Sequence, residues 1–444
     1  MKRQLLKKLL TWSKNPGRKP LLLHGVRQVG KTYLLQELGA KHFPQTHYFN
    51  FEKQASLHDI FKLDLDPKRL LRELRFYSNK KIDEKNDLII FDEIQACPLA
   101  LTSLKYFQEE IPELALACAG SLLGLSLGHG SFPVGKVDML TLHPLSFYEF
   151  LMAIDDEKSL AILRDINLER AIPEIVHQHL WEQLKIYFVV GGLPEAVRTY
   201  KHNRDDLFSA FNAVRIKQQE LITGYYSDIA KHAGKINSMH IDRVWRAVPS
   251  QLGMTHSGNA EKFTFKQIIP GINRYSRLVN VIDWLEATHL IIKIPIVNNA
   301  ELPFSAYCKD NTFKLFLFDV GILGAMSDLP PKKILDYDYG TYKGYFAENF
   351  IAQMFLTSGV TQLFSWRENT AEIEFLRDMN GDVIPIEVKS GWVTKAKSLA
   401  VFSQKYHPTY RVIFSANNLY CDHALRTHYY PIYLAETLPM NIDG

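Results

Sequence analysis

The sequence predicts a mixed α/β protein, with a parallel sheet near its N-terminus and a second α/β region near its C-terminus. Four short apolar runs, at residues 21–24, 48–51, 88–91 and 114–119, alternate with helical patterns over the first 150 residues. These runs show little polar alternation, which is typical of parallel strands that are covered on both faces. The chain of 444 residues is also too long for one ordinary hydrophobic core. Two or more packed domains are therefore expected.

Four segments are expected along the chain. Residues 1–150 form the first α/β domain, and residues 151–235 show a mostly helical pattern that a turn interrupts at Gly191. Residues 236–312 give helices followed by two strands, an order that resembles a winged helix. Residues 313–444 return to alternating helix and strand patterns. The middle of the chain is therefore expected to be helical and winged-helix-like, between two α/β regions.

The composition excludes several classes of protein. Hydrophobic residues make up 46% and charged residues 23% of the chain, so neither a disordered nor a fibrous protein is expected. The formal net charge of +4 permits contact with nucleic acid without indicating it. No apolar run is long enough to span a bilayer, so we expect a cytoplasmic protein without a membrane partner. The four cysteines lack metal-type spacing, which indicates free thiols in a reducing compartment: Cys97, Cys118, Cys308 and Cys421.

One segment fits the phosphate-binding pattern G-x-x-x-x-G-K-[ST] at every required position, between an apolar strand and a helical pattern. Two glycines permit a backbone path that points successive N–H groups at phosphate oxygens, and the following helix adds its positive N-terminal end. Lys31 would reach the β- and γ-phosphates, and the Thr32 hydroxyl would bind Mg²⁺. ATP and Mg²⁺ are the expected cofactors. The segment consists of Gly25, Val26, Arg27, Gln28, Val29, Gly30, Lys31 and Thr32.

A second apolar strand ends in two carboxylates, Asp92 and Glu93. Asp92 is expected to hold Mg²⁺, and Glu93 to polarise the attacking water. GTP is disfavoured, because the only Asn-Lys element of the guanine-binding kind, at residues 79–83, precedes this strand and has the wrong spacing. Ser121 follows the next apolar run. It is expected either to sense the γ-phosphate or to lie in an ordinary turn.

These stretches and several others resemble a prokaryotic family of AAA-type ATPases that carry a C-terminal, restriction-endonuclease-like domain of unknown function. The resemblance implies an ATPase domain, a winged-helix-like middle and a nuclease-like end of the PD-(D/E)xK type. Lys136 looks like a residue that acts on the nucleotide of a neighbouring subunit in a homo-oligomeric ring, although a solvated surface lysine would give the same pattern. The matching stretches are residues 25–32, 91–95, 119–124, 131–137, 142–150, 191–196, 318–321 and 386–391.

Near the C-terminus, an ordered set of acids and one lysine indicates a nuclease-like site. Glu387 and Lys389 lie two residues apart on a strand, so they project from the same face. Glu374 would come from the adjacent strand and Glu348 from the preceding helix, as oxygen ligands for Mg²⁺. The family more often has Asp where this chain has Glu374, and the longer side chain displaces the carboxylate. Metal-dependent cleavage and an inactive fold kept for DNA binding or assembly therefore both remain open.

The sequence thus predicts an AAA-type ATPase that acts on DNA, whether single-stranded, duplex or branched, or on another nucleic acid. Basic residues of the winged-helix-like segment, Lys262, Lys266, Arg274 and Arg277, would contact phosphates, unless the segment only packs. One rival interpretation is an ATP-operated signalling switch or scaffold whose C-terminal domain is catalytically inactive. A second rival is an ATP-gated, Mg²⁺-dependent nuclease.

Overall fold

A computed structural model of the chain describes residues 1–121, 133–232, 235–254, 260–272, 274–394 and 396–439. The chain divides into two compact units. The N-terminal unit consists of Met1–His143 together with Ala287–His289, and the C-terminal unit of Pro144–Glu286 and Leu290–Gly444. Two parts of the matching stretches, residues 122–124 and 131–132, lie outside the described residues.

The N-terminal unit contains a parallel five-stranded sheet in the order β2-β3-β4-β1-β5. This confirms the α/β class and the four strands expected there. The fifth strand was not expected, because it is short and only half-buried, without the apolar run that marks the others. The strands are β1 (Leu21–His24), β2 (Thr46–Asn50), β3 (Leu88–Asp92), β4 (Ala115–Ala119) and β5 (Asp138–Thr141).

An aromatic core fixes β2 and β3 against the neighbouring helices. Phe51 and Phe91 pack edge to face with ring centroids 5.3 Å apart, and Phe61 and Phe107 pack against Phe91. Every residue of β3 is buried, so its carboxyl end has a fixed position in the sheet. Among the described residues of this unit, the helices are α1 (Leu5–Lys14), α2 (Lys31–His42), α3 (Leu57–Ile60), α4 (Pro67–Ser78) and α5 (Pro98–Glu110).

The C-terminal unit begins with a run of helices. A capping box between Ser146 and Glu149 starts the first of them. The turn expected at Gly191 ends another, because Gly191 has φ of 74° and a Cβ there would lie 2.2 Å from Asp319. The helices are α6 (Phe147–Ala153), α7 (Glu157–Arg164), α8 (Glu174–Val190), α9 (Pro194–Asn203), α10 (Leu207–His232), α11 (Lys235–Met254) and α12 (Val279–Ala287).

An eight-stranded sheet in the order β12-β13-β11-β10-β9-β8-β6-β7 follows, with helices α13 (Val320–Met326), α14 (Pro331–Leu335), α15 (Tyr342–Thr357) and α16 (Lys397–Tyr406). Asn380 and Gly381, both with positive φ, join β9 to β10 in a two-residue hairpin turn. The strands are β6 (Ile291–Val297), β7 (Cys308–Leu317), β8 (Phe364–Glu368), β9 (Ala371–Met379), β10 (Asp382–Val388), β11 (Arg411–Ser415), β12 (Tyr420–Asp422) and β13 (Thr427–Pro431).

The structure corrects the winged helix that the sequence predicted. β6 pairs with β7 and also with β8, so both strands belong to the large sheet and do not form a separate wing. The division expected between residues 312 and 313 falls inside β7. Residues 266–268, in the part of this segment that was expected to be helical, form a turn. Local periodicity could not reveal the pairing of β6 with β8, because these two strands lie about 70 residues apart in the chain.

Two further expectations concern the cysteines and membrane-spanning helices. The four cysteines are free thiols. Among the described residues, none of the helices combines the length and the apolar composition that a bilayer crossing requires.

Candidate nucleotide site and carboxylate cluster

The predicted phosphate loop connects β1 to α2 at the carboxyl edge of the N-terminal sheet. Gly25 has φ of 140°, and a Cβ at this position would lie 2.2 Å from the carbonyl oxygen of Leu142. Gly30 precedes α2 with φ of 98°. Both positions therefore require glycine, and they let the loop turn directly into the N-terminal end of the helix.

Lys31 is buried at the start of α2, with an exposed fraction of 7%. Its Nζ donates hydrogen bonds of 2.9 Å to the carbonyl oxygens of Gly25 and Val26, so the ammonium lies inside the loop. Burial lowers the pKa of Lys31 to about 8, although the carboxylates of Glu93 and Asp92 oppose this shift. The loop thus holds a desolvated positive charge whose interaction with an anion would be strong.

Asp92, the last residue of β3, faces Thr32 across the loop. The Thr32 hydroxyl lies 3.0 Å from Oδ1 and 3.1 Å from Oδ2 of Asp92, which is 3% exposed. A hydroxyl and a carboxylate at this spacing are hard oxygen donors of the kind that Mg²⁺ binds. The two side chains predicted to hold the metal are therefore neighbours at the edge of the sheet.

Two residues that the sequence did not single out, Tyr48 and Asn50, also contact Asp92. The Tyr48 hydroxyl donates a hydrogen bond of 2.6 Å to Asp92 Oδ2, and Asn50 Nδ2 donates one of 3.1 Å to the same oxygen. Both come from β2, which lies beside β3. Two polar residues at the end of an apolar strand were the available signal, but only the pairing of β2 with β3 shows their role.

Glu93 follows β3 in the left-handed region, with φ of 52°. A residue other than glycine adopts this conformation at a cost of roughly 1–3 kcal/mol, and such strain is concentrated at functional sites. Its half-buried carboxylate accepts a hydrogen bond of 2.6 Å from Gln95 Nε2. The hydrogen bond from Gln95 therefore fixes the orientation of the Glu93 carboxylate.

The structure separates the two remaining predicted residues of this unit. Ser121 is buried just beyond β4, the strand adjacent to β1, and therefore lies at the same carboxyl edge as the loop. Lys136 precedes β5 at the amino edge, where its Nζ lies 3.1 Å from Glu109 Oε1. Lys136 is thus not brought to the phosphate loop of its own chain.

Three histidines lie near the phosphate loop, and no sequence motif had predicted them. His24 Nδ1 lies 2.9 Å from His289 Nε2, and both side chains are in the N-terminal unit. Burial and the charge of Lys31 lower the pKa of His24 to about 4. Burial and neighbouring charges lower the pKa of His143 to about 4 and that of His289 to about 3. All three imidazoles are therefore neutral at pH 7 and do not add positive charge near Lys31.

In the C-terminal unit, the four residues predicted for the nuclease-like site come from α15, β9 and the end of β10. Glu387 follows Ile386, which pairs with Phe375, so Glu374 and Glu387 lie side by side on adjacent strands. Lys389 Nζ lies 2.5 Å from Glu387 Oε1. Burial and the charges of Glu387 and Glu348 raise the pKa of Glu374 well above its usual range. The predicted acids thus form one buried cluster.

Lys314 on β7 belongs to the same cluster, and the sequence had not indicated it. Its Nζ lies 2.6 Å from Glu372 Oε1 and 3.5 Å from Glu348 Oε2. Lys314 and Glu348 are both 1% exposed. A lysine in an apolar strand gave no local signal, because its partners lie 34 and 58 residues away.

Ammonium groups lie among the carboxylates of the cluster. In the part of the chain that the structure describes, no group of three or more acidic, histidine or cysteine side chains has a geometry that could hold a metal. Lys314 and Lys389 instead lie among the carboxylates. The carboxylates of Glu348, Glu374 and Glu387 are thus paired with ammonium groups or packed beside them, and their role as Mg²⁺ ligands stays a prediction.

The basic residues predicted to contact phosphates precede α12. Lys266, Arg274 and Arg277 are exposed, and Lys262 Nζ lies 3.3 Å from the Thr312 hydroxyl.

Comparison with protein families assigns three regions. Residues 17–151 match the model of an AAA domain, so the N-terminal unit contains an AAA-type P-loop domain. Residues 181–333 and 343–433 match two domains of unknown function, DUF8612 and DUF4143. The resemblance inferred from the sequence is confirmed to this extent: an AAA-type domain is followed by a C-terminal domain of unknown function.

Similar individual proteins are distant. The chain is 21% identical over 304 residues to an uncharacterised protein of Methanocaldococcus jannaschii, covering 65% of this chain. It spans 59% of the length of that relative.

Three solved structures show a weak likeness. The C. elegans PCH-2 structure has a TM-score of 0.31 at 12% identity, over 48% of this chain and 67% of that chain. Drosophila ORC bound to DNA has a TM-score of 0.27 at 12% identity, over 75% and 84% respectively. A signal transduction ATPase with numerous domains from Pyrococcus horikoshii also has a TM-score of 0.27, at 14% identity, over 79% and 45%. Scores this low carry no functional argument.

Proposed function

We propose that this chain binds ATP together with Mg²⁺ and hydrolyses it at the carboxyl edge of the N-terminal sheet. The observation that carries the proposal is the convergence, at one edge, of the glycine-bounded loop at residues 25–30, the Lys31 ammonium and the Thr32–Asp92 pair. Hydrogen bonds of 2.9 to 3.1 Å join these groups. ATP is preferred over GTP because no correctly spaced guanine-binding element follows β3.

The loop would hold the nucleotide through its phosphates. The main-chain N–H groups and the start of α2 supply partial positive charge, and phosphate oxygens would replace the two carbonyl oxygens that Lys31 now contacts. Each such exchange substitutes a charged acceptor for a neutral one, which strengthens the hydrogen bond. The desolvated ammonium therefore favours an anion over water.

Thr32 and Asp92 would hold Mg²⁺, which when bound supplies positive charge between the β- and γ-phosphates. Tyr48 and Asn50 orient the Asp92 carboxylate by donating to its Oδ2. Such partners of a metal-binding carboxylate fix its direction and tune its affinity. The site thus consists of binding groups and the groups that position them.

Glu93 would act on the water that attacks the γ-phosphate. Its carboxylate is half-buried beside Asp92 and is held by Gln95, so a water between Glu93 and the phosphate could donate its proton to Glu93 Oε1. Ser121 lies at the end of the neighbouring strand and is the proposed sensor of the γ-phosphate. This division of roles separates the residues that bind the nucleotide from the residue that activates water.

Calorimetry with Lys31→Ala tests the binding step. Losing two charge-assisted contacts of about 1.5 kcal/mol each weakens ATP binding by about 100-fold. Lys41→Ala is the matched control, because Lys41 lies on the same helix but is exposed and pairs with Glu37. Wild-type affinity in Lys31→Ala, or equal losses in both variants, would contradict the proposal.

We further propose that the protein contacts the phosphates of a nucleic acid through its C-terminal unit. A cavity of about 280 Å³ near the start of β11 carries the positive side chains of Arg411 and Arg426 together with His407. Arg411 donates to the hydroxyls of Thr427 and Ser403, so its guanidinium is held in place. None of the described residues that line the cavity is acidic. A fixed guanidinium in a cavity without acids suits a phosphodiester.

Binding of labelled single-stranded, duplex and branched DNA to wild-type protein and to Arg426→Ala tests this second proposal. Loss of one phosphate contact lowers the salt slope of binding by about one, with similar weakening across sequences. Arg246→Ala is the control, since Arg246 is exposed on a helix and pairs with Asp242. Failure of every DNA to bind, or equal slopes in all proteins, would instead favour the ATP-operated switch or scaffold.

Metal-dependent cleavage is not part of the proposed function. The order α15-β8-β9-β10-α16-β11, with Glu348, Glu374, Glu387 and Lys389 in one cluster, supports a PD-(D/E)xK-like fold. We infer that the cluster takes up no divalent ion, because the ammonium groups of Lys314 and Lys389 lie among its carboxylates. The fold is therefore proposed to serve binding or assembly.

A further inference from the structure

Lys314 is a buried lysine whose charge is retained. Burial alone would lower its pKa, but the carboxylates of Glu348, Glu372 and Glu374 outweigh burial and raise it above the usual range. A buried ammonium without partners would lose its proton instead. The carboxylates therefore keep Lys314 positively charged inside the protein.

Two carboxylates lie beside the Lys314 ammonium. Its Nζ lies 2.6 Å from Glu372 Oε1 and 3.5 Å from Glu348 Oε2. The other oxygen of Glu348 accepts a hydrogen bond of 2.9 Å from the main-chain N–H of Ala260. A compact cation thus lies among oxygen atoms in the way that a metal ion would.

The charge of the whole cluster leaves a deficit that a cation must fill. Four carboxyl groups, Glu348, Glu372, Glu374 and Glu387, share the ammonium groups of Lys314 and Lys389 and the guanidinium of Arg367, which lies 3.9 Å from Glu372 Oε2. Full ionisation would leave one uncompensated negative charge. Burial raises the pKa of Glu348 to about 7, so protons neutralise part of the remainder. Removing Lys314 would deepen the deficit, and a divalent ion beside Lys314 would be repelled.

We propose that the Lys314 ammonium is the resident cation of this cluster and takes the place that a divalent metal ion would otherwise occupy. Lys314 then stabilises the C-terminal unit and excludes metal from the carboxylates. This inference is independent of ATP binding, because it concerns only residues of the C-terminal unit.

Binding of Mn²⁺ to the full-length protein tests the proposal. Asp92→Asn is introduced first, so that the N-terminal unit does not contribute a metal signal. In this background the protein takes up no Mn²⁺ by calorimetry or by electron paramagnetic resonance. Adding Lys314→Met creates one Mn²⁺ site, and adding Glu387→Gln removes it again. Lys309→Met is the matched control, because Lys309 lies on the same strand and is exposed.

Thermal unfolding provides the second measurement. Removing one member of a buried ion pair leaves unpaired charge, so Lys314→Met lowers the melting temperature of the C-terminal unit by roughly 10 °C, and Mn²⁺ restores part of the loss. Lys309→Met leaves it unchanged. If Lys314→Met does not fold, the test is made on the protein that retains Lys314. The proposal predicts that its melting temperature is the same in Mn²⁺ and in a chelator, and a higher melting temperature in Mn²⁺ would contradict the proposal.

Three outcomes would overturn the proposal. The first is Mn²⁺ uptake by the protein that retains Lys314, if adding Glu387→Gln to that protein abolishes the uptake. The second is a Lys314→Met protein as stable as Lys309→Met. The third is a folded Lys314→Met protein that takes up no Mn²⁺.

Discussion

The two units contain similar side chains, acids with a lysine at the end of buried strands, but they compensate the acids differently. In the N-terminal unit, neutral donors from Thr32, Tyr48 and Asn50 satisfy Asp92, and Lys31 Nζ donates hydrogen bonds to carbonyl oxygens. In the C-terminal unit, lysines contact the acids directly. Charged groups that are hydrogen-bonded to neutral groups can exchange those partners for a charged ligand, whereas groups in direct ion pairs are already compensated. The identity of the compensating group therefore decides which cluster is a site for chemistry.

The largest predicted effect separates binding from turnover in the N-terminal unit. Glu93→Gln keeps the shape of the side chain but cannot accept a proton, so ATP turnover falls by about 100-fold or more. ATP affinity in calorimetry stays close to that of the wild type, because the loop at residues 25–32 is unchanged. Glu109→Gln is the control, since Glu109 is an exposed acid of the same unit that pairs with Lys136. Turnover at the wild-type rate in Glu93→Gln would remove Glu93 from the mechanism.

The second prediction weakens the neutral compensation of Asp92. Asn50→Ala removes a donor to Asp92 Oδ2 and raises the Mg²⁺ concentration needed for half-maximal turnover by about tenfold. Tyr48→Phe, which removes the other donor to that oxygen, acts in the same direction. Asn86→Ala is the control, because Asn86 contacts only Asp83 in an exposed turn. A change in maximal rate without a change in Mg²⁺ dependence would contradict this role.

The third prediction is that acid affects the two units in opposite directions. His24, with its pKa lowered to about 4, stabilises the folded state above the unfolded-state value of 6.5, and this stability is lost as pH falls toward 4. The loss reaches up to about 3 kcal/mol for His24. Glu348, with its pKa raised to about 7, contributes stability that is present below 4.5 and lost as pH rises through 7.

Hydrogen exchange of peptides from each unit, expressed as protection factors between pH 7 and pH 5, checks this prediction. Protection of the N-terminal strands falls with acid, and protection around α15 rises. His24→Asn reduces the acid response of the N-terminal strands and leaves that of α15 unchanged. Parallel losses in both units would show that the contrast in charge compensation does not determine their stability.

The smallest predicted effect concerns Lys136. Its ion pair with Glu109 is exposed, at 44% and 47%, and such pairs contribute at most about 1 kcal/mol. If the residue is a solvated surface lysine, Lys136→Ala changes ATP turnover by less than about twofold, also at protein concentrations that favour oligomers. A loss of about tenfold or more that appears only as concentration rises would instead support a ring in which Lys136 acts on a neighbouring subunit.

The sequence predicted those parts of the fold and the site that are encoded locally. The phosphate loop and the end of β3 each occupy a few consecutive residues, and their glycines and apolar runs dictate the backbone. Tyr48, Lys314 and His289 acquire their roles only through strand pairing or through contacts across long stretches of chain. The sequence did not predict the pairing of β6 with β8 for the same reason. Local periodicity reveals elements, but not the partners that neutralise a buried charge.

The most direct test of the central claim is a calorimetric titration of the wild-type chain, in the presence of Mg²⁺, with adenosine, ADP and ATP, and with GTP for comparison. If the loop at residues 25–32 recognises phosphates, affinity rises by at least about 100-fold from adenosine to ADP, because two charge-assisted contacts are gained. ATP then binds at least as tightly as ADP and more tightly than GTP. Equal affinity for adenosine and ATP, or no uptake of any nucleotide by folded protein, would contradict the account.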